Sequence, residues 1–297
     1  MYRNTYLNVF NKTGTTKSQF RHIKQLWKIY INKGIRIMIR KHNINDYAGI
    51  IAELGYLNQA KTFVEIGVNK GETTISLCES AQQTGGHVYG FDLWETHGLL
   101  KQYPSRGSKE VVHKLLSGAG YKNYTLTKVD SFSDEFKDIV KQTVGGKIDI
   151  AFIDACHSYR GCLNDLQAVY PLLSDTGIVV FHDTQRIDGC REFVYDLRTK
   201  YYDGTYDIFD LPCGYKNRMM GISFLVKRSF PTLRIPINQI CGSLSSVGSI
   251  EQQELDWYNN EIEKSKNNLN LMDVDVNTLN EEPFPSNLRP NRNYLDK

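Results

Sequence analysis

The sequence predicts an α/β protein built on a mostly parallel β-sheet that carries helices on both faces. Between residues 61 and 227, short apolar runs of strand length alternate with longer stretches of helical periodicity. Such alternation is typical of strand–helix–strand units, whose parallel strands are buried on both sides. The 297 residues fit one domain with extensions, and a hydrophobic content of 40% argues against a disordered chain.

The strands and helices are predicted from apolar runs and from stripes at helical spacing. The predicted strands are 61–66, 87–92, 124–129, 148–153 and 177–181, with two closing strands at 205–210 and 221–227. The predicted helices cover 71–83, 111–116, 132–143, 159–173 and 188–201. The helix over 159–173, for example, has its apolar stripe at Tyr159, Leu163, Leu166, Tyr170 and Leu173. These seven strands and their helices predict one domain over residues 46–228.

Charge separates the N-terminal extension, residues 1–45, from this domain. The extension holds ten Lys or Arg and no acid, so the rest of the chain carries 3 − 10 = −7. A predicted helix over 17–32 has an apolar stripe and a Lys/Arg stripe, which suit either docking on the domain or peripheral contact with an anionic membrane. The small net charge of +3 does not favour a nucleic-acid partner.

The remaining global features concern location and the C-terminal extension, residues 229–297. No run approaches the length of a membrane span or of a secretory signal, and the six cysteines form no CxxC pair. We therefore expect a cytoplasmic protein with reduced thiols. The C-terminal extension is polar and rich in Pro near its end, which predicts a loosely attached tail with a helix near 249–266. The sequence leaves self-association into a homo-oligomer open.

The loop after the first strand is the first candidate binding site. It holds Glu65, Gly67, Asn69, Gly71 and Thr73, and its glycines allow a tight turn and close approach of a ligand. The spacing is neither the GxGxxG of dinucleotide-binding proteins nor a GK[ST] phosphate loop. An acid two residues before the first glycine suits a ligand with a positive group, although a plain tight turn would also explain the pattern.

Acids also follow the second and third strands. Asp92 ends the second strand, where a carboxylate can accept hydrogen bonds from both hydroxyls of a ribose. Asp130 and Ser131 follow the third strand and could contact a ligand or cap the next helix. Trp94, in the connection over 93–123, suits either a lid over an acceptor together with His97, Tyr103 and Arg106 or the core.

The fourth and fifth strands end in the most reactive residues of the chain. Asp154 and Asp183 are predicted to lie close together, because neighbouring parallel strands end at the same edge of a sheet. Their repulsion would be relieved by a shared proton or by Mg²⁺ or a similar hard cation. His157 and His182 flank the pair. A zinc site of Cys156, His157, Cys162 and His182 is the other metal hypothesis, but it lacks standard ligand spacing.

Taken in order, these motifs resemble the class I S-adenosylmethionine-dependent methyltransferases. The order is ExGxxxGxT, GFDxW, VDSF, FIDACHSY with Asp165 and Leu166, and GIVVFHDT. The resemblance covers roughly residues 48–228 and is greatest to the bacterial-type branch associated with glycan and natural-product O-methylation. It implies a Rossmann-like, seven-stranded sheet whose last strand is antiparallel.

The resemblance also implies a cofactor site and, in metal-dependent relatives, a metal site. Glu65, Gly67, Asn69, Gly71 and Thr73 would line the methionine end of S-adenosylmethionine, Asp92 would bind its ribose, and Asp130 and Ser131 would border its adenine, with Asp154 nearby. Asp154 and Asp183 would hold Mg²⁺ or another divalent cation. This chain has Thr184 where those relatives often have Asn, and His157 where some of them place a Lys base.

The predicted reaction is methyl transfer to a hydroxyl oxygen. His157 would be the general base, since an imidazole has an ordinary pKa of about 6.5. Asp154 and Asp183 would position substrate or metal, and His182 would support them or act as a second base. The leading hypothesis is an O-methyltransferase of a sugar or glycan intermediate. The alternatives are a metal-dependent O-methyltransferase of a phenol or other small metabolite, and an inactive scaffold that binds a partner through its basic N-terminal extension. The competing interpretation of His157 is a cap for the following helix.

Overall fold

The computed structural model describes residues 46–94, 107–215 and 218–228, and in the C-terminal extension 256, 259–260 and 263–279. The predicted helix over 17–32 and the residues His97, Tyr103 and Arg106 lie outside the described residues, as does much of the predicted helix at 249–266. No described helix combines the length and the apolar content needed to cross a membrane.

Helices and strands alternate along the chain as the sequence predicts. The helices are α1 (Asp46–Leu57), α2 (Glu72–Thr84), α3 (Lys109–Gly118), α4 (Phe136–Val144), α5 (Tyr159–Val169) and α6 (Asp188–Arg198). The strands are β1 (Thr62–Ile66), β2 (His87–Asp92), β3 (Tyr124–Lys128), β4 (Ile148–Ile153), β5 (Leu173–His182), β6 (Tyr206–Leu211), β7 (Gly214–Tyr215), β8 (Arg218–Met219) and β9 (Ile222–Lys227).

Seven strands form one sheet in the order β3-β2-β1-β4-β5-β9-β6, and β7 and β8 form a separate two-stranded ribbon. The first five strands are parallel to their neighbours, whereas β9 is antiparallel to both β5 and β6. This topology confirms the predicted mostly parallel sheet with an antiparallel last strand. Strands β2 and β3 lie on one side of β1, and β4 and β5 lie on its other side, so the strand order reverses next to β1. In such sheets a ligand binds beyond the carboxyl ends of the strands at the point of reversal.

Two hydrophobic cores lie on opposite faces of this sheet. One face packs against α4, α5 and α6, and the other packs against α1, α2 and α3. Strand residues alternate between them, so Val64 and Ile66 belong to the first core and Phe63 to the second. The helices therefore cover both sides of the sheet and leave its strand ends free to carry function.

The structure differs from the sequence prediction at three elements. Helix α1 was not predicted, because Gly49 and Gly55 weaken its helical pattern. The helix predicted over 159–173 ends at Val169, where a short 3₁₀ turn containing Pro171 leads directly into β5. Strand β5 begins at Leu173 rather than at residue 177, with Ser174, Asp175 and Thr176 in its partly exposed first half.

The C-terminal extension is not a loosely attached tail over residues 263–279. Leu271 and Val276 are buried against the core formed with α4, α5 and α6. The Gln167 side chain donates hydrogen bonds to the carbonyls of Leu271 at 2.8 Å and Val274 at 2.9 Å. The polar composition concealed this docking, since few of its contacts are apolar and the others are hydrogen bonds to residues distant in sequence.

Candidate active site

The ends of β1, β2 and β4 are joined by backbone hydrogen bonds that continue the sheet into the loops. The Gly67 amide donates to the Phe91 carbonyl at 2.9 Å, and the Asp154 amide donates to the Ile66 carbonyl at 2.9 Å. These bonds place the glycine loop directly beside the segment that begins with Asp154. The predicted binding loop and the predicted reactive cluster are therefore neighbours at one edge of the sheet.

The glycine loop takes a conformation that its residues make possible. Gly67 has φ +95°, and a Cβ there would lie 2.3 Å from the Asp154 carbonyl oxygen. Gly71 has φ +80° and its amide closes a turn to the Val68 carbonyl at 2.8 Å. Asn69 between them also has a positive φ, of 50°, which Asn adopts more readily than most residues. The absence of a side chain at Gly67 thus lets the loop pack directly against the backbone that begins with Asp154.

Glu65 is a buried carboxyl at the end of β1. It is 1% exposed, and one of its oxygens accepts a 2.5 Å hydrogen bond from the Thr74 hydroxyl. Burial raises the pKa of Glu65 well above its usual range; the Thr74 bond opposes the rise, while the charges of Asp154 and Asp92 add to it. A cation brought to this carboxyl would restore its charged form. Thr74 therefore fixes the Glu65 carboxyl, while Thr73 lies buried beside it at the start of α2.

Asp92 organises the loop that it was predicted to face. One of its oxygens accepts from the Asn69 amide at 2.7 Å and the other accepts from the Trp94 amide at 2.6 Å. The Trp94 indole in turn donates to the Asn69 carbonyl at 3.0 Å. Trp94 is 8% exposed and belongs to the core, which confirms the core interpretation over the lid. Each carboxylate oxygen retains a further lone pair for a ligand hydroxyl.

Asp130 and Ser131 lie beyond β3, in turns that precede α4. An Asp130 oxygen accepts from the Phe132 amide at 2.9 Å, and the Ser131 carbonyl accepts from the Asn164 side chain at 2.5 Å. The prediction that either residue caps α4 is wrong, because α4 begins only at Phe136. Asp130 stabilises a turn instead.

Behind this turn lies Asp165, a carboxyl on α5 with 0% exposure. Burial raises the pKa of Asp165 to about 8; the nearby Ser131 hydroxyl opposes the rise, and the charge of Asp130 adds to it. The sequence motif contained Asp165, but its neighbourhood could not be inferred from chain position. It lies against the loop that borders the predicted adenine position.

The reactive cluster consists of Asp154, His157, His182 and Asp183. Each residue offers one ligand atom, and these atoms all lie within 4.8 Å of one another. His182 Nδ1 lies 2.8 Å from Asp154 Oδ1 and 3.7 Å from Asp183 Oδ2. His157 contacts the same two acids through different nitrogens, with Nε2 at 3.1 Å from Asp154 Oδ1 and Nδ1 at 3.7 Å from Asp183 Oδ2. Each imidazole therefore bridges the two carboxyls.

Opposite charges dominate the protonation of this cluster. Burial lowers the pKa of His157, but the hydrogen bond with Asp154 and the charges of Asp183 and Asp154 outweigh it and raise the pKa to about 9. The pKa of His182 is also raised, since the carboxyls outweigh its burial. Burial would raise the pKa of Asp154, yet the two imidazoles hold it below its usual range. His157 is thus a cation at neutral pH, in contrast to the ordinary imidazole assumed from the sequence.

The backbone holds the cluster through close approaches and one unusual conformation. A Cβ on Gly189 would lie 2.7 Å from the His157 carbonyl oxygen, so α6 packs directly on this segment. Asp183 has φ +58°, in the left-handed region. Such conformations persist where the surrounding structure holds them and are frequent at functional sites. The Tyr47 ring lies 4.3 Å from the His182 ring and covers it, a contact that was not predicted.

Three alternative hypotheses about these residues are resolved by geometry. Ser158, rather than His157, caps α5, because its hydroxyl accepts from the Gly161 amide at 2.9 Å. The metal-capable cluster of the described residues contains no cysteine; the Cys162 thiol lies 3.8 Å from that of Cys190 instead. Thr184 is likewise outside the cluster and accepts a 2.8 Å hydrogen bond from Ser223.

Comparison with known proteins gives one family match. Residues 64–184, less than half of the chain, match the family model described as a methyltransferase domain. The match begins in β1 and ends just after Asp183, so it spans the glycine loop and the whole Asp–His cluster. No curated protein matches the sequence.

Solved structures of similar topology have low sequence identity. Cofactor-bound Rv0187 from MTB is 17% identical, with 65% of this chain and 83% of that chain covered and a TM-score of 0.49. The O-methyltransferase from Bacillus cereus in complex with SAH is 16% identical, with 75% and 96% covered and a TM-score of 0.49. TomG from Streptomyces achromogenes, an O-methyltransferase in complex with SAM, is 16% identical, with 61% and 79% covered and a TM-score of 0.48.

Likeness at that level carries no conclusion about the acceptor or the metal. The family match and the sheet topology, however, agree on the same segment of the chain. The segment that is similar to a methyltransferase domain, residues 64–184, therefore contains both the glycine loop and the Asp–His cluster.

Proposed function

We propose that the protein transfers the methyl group of S-adenosylmethionine to a hydroxyl oxygen of a sugar or glycan intermediate. The observation that carries the proposal is the position of the Asp154–His157–His182–Asp183 cluster, hydrogen-bonded through Asp154 to the end of β1, where the glycine loop begins. A cofactor in that loop would present its methyl group toward an ionisable cluster. Methyl transfer to a hydroxyl oxygen requires this arrangement, because a group near the methyl donor must accept the proton of the hydroxyl.

The cofactor contacts follow from the charges of the strand ends. The ammonium of the cofactor would pair with Glu65, whose buried carboxyl regains its charge beside a cation. Its ribose hydroxyls would donate to Asp92, which the Asn69 and Trp94 amides already orient. Asp130 and Ser131 would border the adenine. Fixing donor and acceptor in line lowers the barrier, because orientation is established before the reaction.

The acceptor hydroxyl needs a strong proton acceptor if it is aliphatic. An alcohol is about as weak an acid as water, whose pKa is about 15.7, whereas a phenol has a pKa of about 10. The His157 pKa of about 9 makes its imidazole a stronger base than an ordinary histidine, which favours the weakly acidic hydroxyl of a sugar. With this pKa His157 is protonated at neutral pH, so it must lose that proton before it can accept one from the hydroxyl. The positive sulfonium next to the cluster favours loss of that proton.

The cluster also fits a divalent cation at Asp154 and Asp183. Asp183 Oδ1 is buried and has no hydrogen-bond partner in the described part of the chain, so it has lone pairs available for an ion. Two buried carboxyls side by side repel one another unless a positive charge intervenes. A bound cation would stabilise the alkoxide character of the acceptor oxygen. Asp154 and Asp183 would hold it, while His157 accepts the proton.

Substitution of His157 by alanine tests the proposed base. We expect the rate of methyl transfer to fall by about 10²–10⁴-fold, the usual contribution of a general base. Cofactor affinity should stay near wild type, because Glu65 and Asp92 are untouched. His113→Ala, on the exposed side of α3, is the matched control. Transfer would be assayed on sugar and phenolic acceptors in parallel with calorimetry of S-adenosylmethionine.

The same measurements separate the competing functions. Near-normal turnover of His157→Ala would remove His157 from the mechanism. Activity on phenols but not on sugars would replace the proposed acceptor class. Absence of cofactor binding in the wild-type protein would contradict the methyltransferase function itself and leave a binding scaffold.

A further inference from the structure

His182 occupies a position that the proposed reaction does not use. Its Nδ1 lies 2.8 Å from Asp154 Oδ1 and 3.7 Å from Asp183 Oδ2, so one nitrogen faces both carboxyls. Only 5% of its side chain is exposed, which keeps it from an acceptor that enters from solvent. It ends β5, and its backbone is held by the antiparallel pairing with Ile222 of β9. A buried imidazole fixed in this way is suited to binding an ion together with the two carboxyls.

The packing around His182 fixes the ring and leaves polar atoms without partners. The rings of Tyr47, at 4.3 Å, and Phe152, at 6.0 Å, hold it from two sides. In the described part of the chain, His182 Nε2 and Asp183 Oδ1 are both buried and have no hydrogen-bond partner. Unsatisfied buried polar atoms are costly. The unpartnered atom that bears on a bound ion is Asp183 Oδ1, because the His182 nitrogen that faces the carboxyls is Nδ1 and not Nε2.

The separations of the three side chains match those of ligands around one ion. Ligand atoms bound at about 2.0–2.2 Å in tetrahedral or octahedral geometry lie about 3.0–3.5 Å apart when they are neighbours. The two distances from His182 Nδ1 to the carboxyl oxygens, 2.8 and 3.7 Å, lie on either side of this range. Small side-chain rotations would bring all three atoms onto one centre.

The donor set selects the class of ion. Mg²⁺ prefers oxygen ligands and water, whereas an imidazole nitrogen suits Mn²⁺, Fe²⁺, Co²⁺ and Zn²⁺. One nitrogen with two carboxylate oxygens also leaves coordination positions open, as a catalytic site requires. This differs from the oxygen-only site at Asp154 and Asp183 that the sequence suggested.

We propose that His182 is a metal ligand, and that Asp154, His182 and Asp183 together bind a first-row transition-metal ion in preference to Mg²⁺. The role of the ion rests on the proposed function, whereas binding of the ion is measured without any methyl transfer. His157, with 23% of its side chain exposed, remains available to the acceptor as the base.

The test uses the full-length protein after removal of metal with a chelator. Calorimetric titration should give an affinity for Mn²⁺ and Co²⁺ about tenfold or more above that for Mg²⁺. Electron spin-echo spectroscopy of bound Mn²⁺ should show coupling to the ¹⁴N nucleus of a coordinated imidazole. This coupling should vanish in His182→Asn and persist in His157→Gln and in the distant control His113→Asn.

Affinity ratios provide a second measurement that does not depend on the spectra. His182→Asn replaces the nitrogen by an amide oxygen, so it should weaken Mn²⁺ binding by about tenfold or more. The ratio of the Mn²⁺ affinity to the Mg²⁺ affinity should fall with it. Retained binding of S-adenosylmethionine would show that the variant folds. Should it fail to fold, persistence of the ¹⁴N coupling in His157→Gln, together with the Mn²⁺/Mg²⁺ affinity ratio of the wild-type protein, still decides.

Each contrary result has a definite meaning. Equal affinity for Mg²⁺ and Mn²⁺, no nitrogen coupling, or no metal binding would each overturn the proposal. Coupling that persists in His182→Asn and vanishes in His157→Gln would assign the ligand to the other histidine and also overturn it. Full methyl transfer in a protein that binds no metal would leave the proposed function standing. Tight Mn²⁺ binding with no methyl transfer to hydroxyls would support the metal site and contradict the proposed function.

Discussion

At the scale of single residues, the site combines carboxyls whose ionisation depends on what they face. Glu65 and Asp165 are buried away from cations, and the pKa of each is raised. Asp154 is also buried, but two imidazoles lie against it and its pKa is lowered. The same residue type therefore serves as a neutral group in one place and as an anion in another. Two predictions follow from this contrast.

Glu65→Gln should weaken binding of S-adenosylmethionine by about 10–100-fold, because a hydrogen bond between charged partners is replaced by a neutral one. The wild-type protein should release a proton as it binds, since the cofactor's ammonium draws Glu65 into its charged form. Calorimetry in two buffers of different ionisation enthalpy measures that proton. Glu72→Gln, exposed at the start of α2, is the control. An unchanged affinity in Glu65→Gln would place the ammonium elsewhere.

Asp165→Asn should change how stability depends on pH. An unfolded Asp has a pKa of about 3.9, and the folded Asp165 has one of about 8. The folded protein therefore holds a proton that the unfolded chain releases, so the contribution of Asp165 is complete below about pH 4 and is lost as pH rises toward 8. The loss has a limiting slope of about 1.4 kcal/mol per pH unit.

Denaturant unfolding at pH 5 and pH 8 checks this sign. Relative to wild type, Asp165→Asn should become more stable as pH rises, because its amide has no proton to lose. Asp175→Asn, on the exposed part of β5, provides the comparison. A difference between Asp165→Asn and wild type that stays constant with pH would contradict the raised pKa.

At the scale of elements, the strand ends and the loops that follow them decide the site. Among the described non-glycine residues, Gln59, Asn69, Trp94 and Asp183 have positive φ, and all but Gln59 follow β1, β2 or β5. The residues with positive φ thus lie mainly where the sheet meets the glycine loop and the Asp–His cluster. Strain of this kind is tolerated because each of these strands is paired with a neighbour on both sides.

Gly67→Ala tests the closest of these approaches. The added Cβ would meet the Asp154 carbonyl oxygen at 2.3 Å, and the residue already has φ +95°. We expect a loss of stability of about 2–4 kcal/mol together with loss of cofactor binding. Gly118→Ala, whose Cβ would meet nothing within 4 Å, should be neutral or slightly stabilising. Thermal unfolding and cofactor calorimetry measure both effects, and equal behaviour of the two variants would count against the close approach.

At the scale of the whole molecule, the C-terminal segment 263–279 closes the face formed by α4, α5 and α6. Gln167 of α5 anchors its backbone, and Arg160 of α5 donates a 2.7 Å hydrogen bond to Asn277. The Leu269 amide donates to the Lys200 carbonyl at 2.9 Å. The helix that carries Asp165 is therefore packed from outside by residues far away in sequence.

Leu271→Ala should destabilise the protein by about 2–3 kcal/mol, since Leu271 is 4% exposed and its removal leaves a cavity against the core. Met272→Ala, at a neighbouring position that is 37% exposed, should cost much less. Denaturant midpoints give the comparison. Equal small losses for both variants would show that the segment contributes little to the stability of the fold.

The sequence by itself determined the order of the elements and the identity of the residues at the strand ends. Apolar runs and helical stripes are local properties, so β1, β2 and β4 and the helices between them could be predicted closely. The approach of Asp154 to Asp183 followed from the parallel connection between two neighbouring strands. The motifs around Glu65, Asp92 and Asp183 resembled those of the S-adenosylmethionine-dependent methyltransferases, and this resemblance predicted the class.

Only the tertiary structure decided which atoms meet and how they ionise. That Thr74 holds Glu65, and that His182 faces both carboxyls beneath Tyr47, depends on residues brought together from separate elements. The raised pKa of His157 and the docking of residues 263–279 depend on burial and on contacts distant in sequence. Periodicity reports one element at a time, whereas electrostatics and packing sum over all neighbours in space.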